Sequence, residues 1–244
     1  MKHFAADLHI HTALSPCAAD EMTPGAIVHA ARDAGLDMIA ICDHNTAGNA
    51  EAVQQAARDD LAVIAGIEIT TVEEVHVLGL FPDADAAAAA GDAVRQTLPS
   101  ANGSHKDFGH QWLMDPEGRV LGTEAKMLSV ASGFALSDAV RLIRQHGGLA
   151  VASHIGRPAF SVLSQLGMLP KNTRFDAIEI SATGLRAGRQ AEFAALGLPM
   201  VTSSDSHFLA DVGCRRTMLE SLLATFDELS LAFKGVDRRR CCLA

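Results

Sequence analysis

Three short stretches of this chain are apolar without a break: Met38 to Cys42, Leu61 to Ile67 and Leu149 to Ala152. They are too short for helices, and they lack the alternation of a strand with one wet face. A continuous apolar run of this length reads as a strand buried on both sides, which occurs in parallel sheets covered by helices. The intervening sequence has helical signals. Thr23-Pro24 is an N-cap and first helical position for a helix running to about Ala34, with Gly35 as its stop. Further helices are predicted at about Ala47 to Arg58, 84–97, Ser137 to Gln145, Ser161 to Leu166 and Gly188 to Leu196. A last one opens at Thr225, with Glu228 completing a capping box, and runs to Phe233. Strands alternating with helices predict a mostly parallel sheet, either a closed barrel or a doubly wound one.

Other strands are expected at Phe4 to Leu8, Val75 to Phe81, Asp176 to Ile180 and Pro199 to Ser203. A tight reversal centred near Val72 would place Glu68 opposite His76 across a hairpin. Trp112 to Leu121 reads as a second hairpin, turning at Asp115-Pro116-Glu117-Gly118. The region from about 99 to 130 breaks the strand–helix rhythm and reads as an insertion that covers a site. Arg238 to Cys242 reads as a loose tail.

The length of 244 residues suits one barrel-sized domain as well as two small ones; without a linker rich in Pro, Gly or Ser, residues 1–244 are expected to form one domain. A net charge of −9 argues against a broad nucleic-acid-binding face and against long duplex DNA as a partner. It leaves room for a phosphorylated substrate, because bound cations reverse the local field. The five cysteines form no C-x-x-C pair, and their odd number argues against a disulfide framework; a cytoplasmic location is the simplest expectation. No segment approaches the ~18 apolar residues of a membrane span.

Eleven histidines are unusual in an acidic chain. His9 and His11 lie two apart at the end of the first strand, so both side chains point to one face and converge on one point, as a transition metal requires. More polar residues arrive where other strands end: His44, Glu68, His154, Asp205 and His207. In barrels the chemistry collects at the carboxyl ends of the strands. With His76 and a loop carboxylate, the set exceeds what one ion takes, and predicts two or three ions in one cleft with a carboxylate bridging a pair. Zn, Mn and Fe all suit such ligands.

Asp7-Leu8-His9-Ile10-His11-Thr12, Asp43-His44-Asn45, Gly66-Ile67-Glu68, Ser153-His154 and Ser204-Asp205-Ser206-His207, in this order, resemble the PHP (polymerase and histidinol phosphatase) family. The resemblance implies a distorted TIM-like (β/α)7 barrel with up to three divalent metals. It implies one ion on His9, His11, Glu68 and Asp205, and a second sharing Glu68 with His76 and His154. A third takes His44, His207 and an acid from the loop after His11. Many relatives read Ser-Asp-Gly in that loop; here Ser15-Pro16-Cys17-Ala18-Ala19-Asp20-Glu21 offers Asp20 first and Glu21 second, with Cys17 a weaker soft ligand. The implied activity is metal-dependent phosphoester hydrolysis through a hydroxide bridging two ions. The substrate would be a small phosphomonoester, a nucleotide or the 5′ end of a short oligonucleotide. An amidohydrolase-type hydrolase and a non-catalytic, metal-stabilised module are the alternatives. Arg157, three residues past His154, is the candidate phosphate-binding cation, ahead of Lys126 and Arg186; His105 and His110 are read as surface or lid residues.

Overall fold

A computed structural model describes residues 1–101 and 109–243 of the chain; His105 lies outside them. The chain opens with β1 (Lys2–Ile10), α1 (Pro24–Asp33), β2 (Met38–Ile41), α2 (Ala50–Ala57), β3 (Ala62–Thr70), β4 (His76–Phe81) and α3 (Ala84–Gln96). A small hairpin follows, β5 (Trp112–Met114) and β6 (Val120–Thr123). The rhythm resumes with α4 (Leu136–Gln145), β7 (Leu149–Ile155), α5 (Val162–Leu166), β8 (Ala177–Ile180), α6 (Ala182–Arg186), α7 (Gln190–Ala194) and β9 (Met200–Val201). The last elements are β10 (Thr217–Ser221), α8 (Phe226–Phe233) and β11 (Arg240–Leu243).

Among the described residues nine strands form one sheet in the order β11-β10-β1-β2-β3-β4-β7-β8-β9. The pairs β1–β2, β2–β3, β7–β8 and β8–β9 are parallel, whereas β4 runs antiparallel to both neighbours. The segment leaving β9 returns to β1: His11 N donates to Ser206 O at 3.0 Å and Ser206 N to His9 O at 3.3 Å. Seven strands thereby close a barrel, as expected, and β10 and β11 extend it along β1.

The continuous apolar runs serve two layers. Leu8, Met38, Ala40, Leu78, Leu80 and Val151 form one buried cluster with Leu229 and Phe233 of α8. Their neighbours Ile39, Ile41, Ile67, Ile69, Val77 and Ala152 pack in the other, with Ile27, Val53 and Ile143 of the helices. Each large aliphatic side chain so buried stabilises the fold by roughly 1.5–3 kcal/mol.

The register differs from expectation at three places. Glu68 lies within β3, which continues to Thr70, and the β3–β4 reversal is centred on Glu73: Thr70 pairs with His76, and Glu68 with Leu78. The two-residue offset keeps Glu68 and His76 on one face, because side chains alternate with period two. The helix expected at Gly188 to Leu196 is the shorter α7, and a further short helix, α6, precedes it where none was expected. Arg238 to Cys242 is no loose tail, since β11 pairs antiparallel with β10. Two of its arginines meet carboxylates 11 and 20 residues away in sequence. The Arg239 guanidinium makes two bonds to Glu228, at 2.8 and 3.1 Å, and that of Arg240 two to Glu220, both at 2.9 Å. The same contact changes the expected capping box: Thr225 accepts from Glu228 N at 3.3 Å, but the Glu228 carboxylate serves Leu222 N and Arg239.

Candidate metal centre

Two backbone irregularities aim the histidines. In β1 the pairing with β2 shifts register between Asp7 and Ile10. Leu8 packs in the inner cluster and Ile10 in the helix-side one, so the alternation is broken between them and His9 and His11 turn to the barrel mouth. In β7 the pairing with β8 shifts between Ala152 and Ile155, and His154 there has φ +30°. Asp205 has φ +54°. Left-handed backbone at two non-glycine residues in one site is strain that the surrounding sheet sustains.

Eight of the nine sequence-predicted ligands meet at the mouth. His9 Nε2 and His11 Nε2 are 3.1 Å apart. Each is 3.4 Å from Glu68 Oε2, and they are 3.5 and 3.4 Å from Asp205 Oδ1. An ion bound tetrahedrally at about 2.0–2.1 Å needs ligand–ligand edges of about 3.3–3.4 Å. The four atoms thus match the donor set and the dimensions of one metal site. The other carboxylate oxygen faces a second group: Glu68 Oε1 is 2.9 Å from His76 Nδ1 and 3.0 Å from His154 Nε2, which are 3.2 Å from each other. His44 Nδ1 stands 3.2 Å from Glu68 Oε2. One carboxylate therefore presents its two oxygens to two nitrogen clusters. A third gathering, His11, His44 and His207, contains no carboxylate.

Asp20 is not in it. Its exposed carboxylate accepts from His110 Nδ1 at 2.9 Å and from Trp112 Nε1 at 3.2 Å. The reason is geometric: this loop turns back at Ala19, whose N donates to His207 O, and the next side chain swings outward to the hairpin. Cys17 lines the cavity of about 250 Å³ above the cluster, with Phe160, Arg157 and His207. Arg157 Nη1 donates to Asp205 Oδ2 at 3.1 Å. Lys126 is occupied elsewhere, its ammonium donating to Leu98 O at 2.7 Å.

An outer layer, which the sequence reading missed, sets the imidazole tautomers. Glu179 accepts from His9 Nδ1 at 3.1 Å and from His154 N at 2.9 Å. Ser15 Oγ donates to Asp43 Oδ1 at 2.7 Å, so it accepts from His11 Nδ1 at 2.9 Å. Both Nδ1 atoms therefore carry hydrogen, and the two Nε2 lone pairs point at each other across 3.1 Å. Two lone pairs cannot hydrogen-bond; a proton or a metal ion must lie between them and the carboxylates. The available signal for Glu179 was a carboxylate in the middle of the apolar strand Ala177-Ile178-Glu179-Ile180, where it needs a buried partner.

The electrostatics agree. Burial would push His9 down, but Glu179, Glu68 and Asp205 together hold it well above the ordinary imidazole value. Burial would raise Glu68, yet His76, His9 and the hydrogen bonds of His11 and His154 hold it well below the usual carboxylate range. His44 is depressed by burial and by His11, and the same two causes bring His207 down to about 4. Near neutrality the cluster thus holds ionised carboxylates, neutral His44 and His207, and a proton on His9 that a metal ion would displace on binding.

Comparisons with known proteins agree with this geometry. The model of the PHP domain matches residues 7–143, and that of the PHP-associated region matches residues 187–234. The 5′-3′ exoribonuclease Rnm of Escherichia coli K12 is 41% identical over 80 residues, 30% of this chain and 26% of that protein. A 5′-3′ exoribonuclease of Haemophilus influenzae is 33% identical over 78 residues, 30% of this chain and 27% of that one. The matches thus span about a quarter of these relatives' length. Among solved structures, the lesion-specific endonuclease PfuEndoQ of Pyrococcus furiosus superposes with a TM-score of 0.76 at 19% identity, covering 98% of this chain and 58% of that one. The fold is shared along almost the whole chain, and the matched family model spans more than half of it. The chain belongs to the PHP domain family.

Proposed function

We propose that this chain is a metal-dependent phosphoesterase that hydrolyses a small phosphomonoester, a nucleotide or the 5′ end of a short oligonucleotide. The observation that carries this reading is Glu68, with one oxygen toward His9, His11 and His44 and the other toward His76 and His154. That arrangement suits a carboxylate bridging two divalent ions. His9, His11, Glu68 and Asp205 would hold one, and Glu68, His76 and His154 the second. A third would rest on His44 and His207 with His11, lacking the acid expected from Asp20. Divalent ions there supply Lewis acidity and lower the pKa of bound water.

The chain's own residues do the rest. Arg157, beside Asp205 at the cavity wall, would take phosphate oxygens in its planar fork. The insertion is stitched over the mouth loop: Trp112 N donates to Ala13 O at 2.9 Å, and Asn49 bonds both Trp112 O and Met114 N. We assign it the role of a cover that limits the size of the ester admitted. The relatives named 5′-3′ exoribonucleases support the 5′ end of a short oligonucleotide as one such substrate.

The test is elemental analysis of gently purified protein, followed by a panel of phosphoesters and amides with Mn, Zn and Fe. Two or more ions per chain with turnover of a phosphoester are expected. Metal loading with turnover of amides alone, or of nothing, overturns the reading.

A further inference from the structure

Behind the Arg157–Asp205 ion pair lies a second cavity, about 160 Å³ in volume, at the ends of β8 and β9. It shares Arg157 and Asp205 with the cavity above the histidine cluster, and His154 forms part of its wall. A phosphate held at the cluster therefore has one flank in the open mouth and the other against this second space.

Ser181, Thr183, Ser203 and Ser204 line it, and the Ser181 hydroxyl already accepts from Gly184 N at 3.0 Å. Ser203 is 6% exposed, and its hydroxyl has no hydrogen-bond partner among the described residues. Buried polar groups are almost always paired, so an orphan lining a cavity points to a partner that arrives from outside. The charges select the partner's nature. Glu179 is committed to His9 and His154 N, and Asp205 to Arg157. Two carboxylates against one guanidinium disfavour a second anion and suit a neutral group. Ile180 and Ala182 add an apolar side. The volume equals roughly five waters, enough for one small ring.

We infer that this cavity receives the sugar ring of the substrate, with Ser203 hydrogen-bonding one of its hydroxyls. The inference rests on the phosphoesterase reading only for where the phosphate sits. Calorimetric binding of ribose 5-phosphate, butyl phosphate and inorganic phosphate to the manganese-loaded chain tests it. The wild-type protein should bind ribose 5-phosphate most tightly. Ser203→Ala removes no side-chain hydrogen bond among the described residues; it should bind ribose 5-phosphate about three- to tenfold more weakly and the other two unchanged. Thr183→Val, at the exposed rim, should show the same selective loss if Ser203→Ala fails to fold. Equal wild-type binding of the three ligands, or a loss shared with inorganic phosphate, overturns the inference. Selective binding of ribose 5-phosphate without hydrolysis of any ester would sink the phosphoesterase and leave the sugar site standing. Hydrolysis without selectivity would do the reverse.

Discussion

Two regions of this molecule gather paired charge, and they differ in what neutralises it. Along the β10–β11 edge each carboxylate meets a guanidinium in a two-bonded pair, Glu228 with Arg239 and Glu220 with Arg240. Arginine is always charged, so these pairs are complete in themselves. At the barrel mouth Glu68 is 1% exposed, and its ion-pair partners among the described residues are five histidines, His9, His11, His44, His76 and His154. Imidazole is a base that exchanges its proton for a metal. A permanent counter-charge makes a fixed joint in the fold, whereas a titratable one leaves the site open to another cation.

Glu68→Gln should break the mouth most severely. It keeps the size and removes the charge from the atom that faces both nitrogen clusters. We expect less than half of the tightly bound metal to remain and kcat to fall at least about a hundredfold, with little recovery in millimolar Mn. Metal analysis and circular dichroism would check this, and near-normal metal and turnover would refute the multinuclear arrangement.

The pH dependence sharpens the contrast. His9 is held above its ordinary value, so near neutrality an incoming ion displaces its proton. Apparent metal affinity should therefore rise between pH 6 and 8, by up to about tenfold per unit for each proton displaced. The sign is opposite for the metal-free fold. The stability contributed by protonated His9 is fully present below about pH 6.5 and is lost as pH rises through its higher folded value. Glu179→Gln takes the carboxylate away from His9 Nδ1 and should cost about ten- to a hundredfold in metal affinity while flattening the slope. Chelator competition at pH 6, 7 and 8 measures both effects, and a slope unchanged in Glu179→Gln would count against the His9–Glu179 contact.

Arg157→Ala should raise KM for a phosphoester about tenfold and leave the metal content alone, because a positioning cation is not a ligand. Steady-state kinetics alongside metal analysis decide it; an unchanged KM would leave Arg157 as a partner of Asp205 alone. The smallest effect on activity is expected at the other region. Arg239→Ala should lower Tm by unpairing Glu228, with metal content and kcat per folded chain unchanged. Loss of metal in that variant would contradict the separation of the two regions.

Much of the mouth was legible because its signals are local. Two histidines two residues apart must share a face of a strand, and unbroken apolar runs must be strands covered on both sides. From those rules and the strand ends came a mostly parallel sheet and eight of the residues that meet at its mouth; the closed barrel was implied by the resemblance to the PHP family. Asp20 went astray because a loop's path depends on what it packs against, here the turn at Ala19 toward His207 and the hairpin residues His110 and Trp112. His105 lies outside the described residues.

The sequence by itself determined most of the strand–helix alternation up to β9, the parity that keeps Glu68 and His76 on one face, and the set of nitrogen and oxygen donors. These follow from backbone sterics and from neighbours a few residues apart. Only the tertiary structure decided that β1 and β7 break register to aim their histidines, that Glu179 orients His9, and that Arg240 sits in a strand and Arg239 against Glu228, not in a loose tail. Each depends on groups that barrel closure brings together. His9 and Glu179 lie 170 residues apart, and no local periodicity records a partner that only the closed sheet supplies.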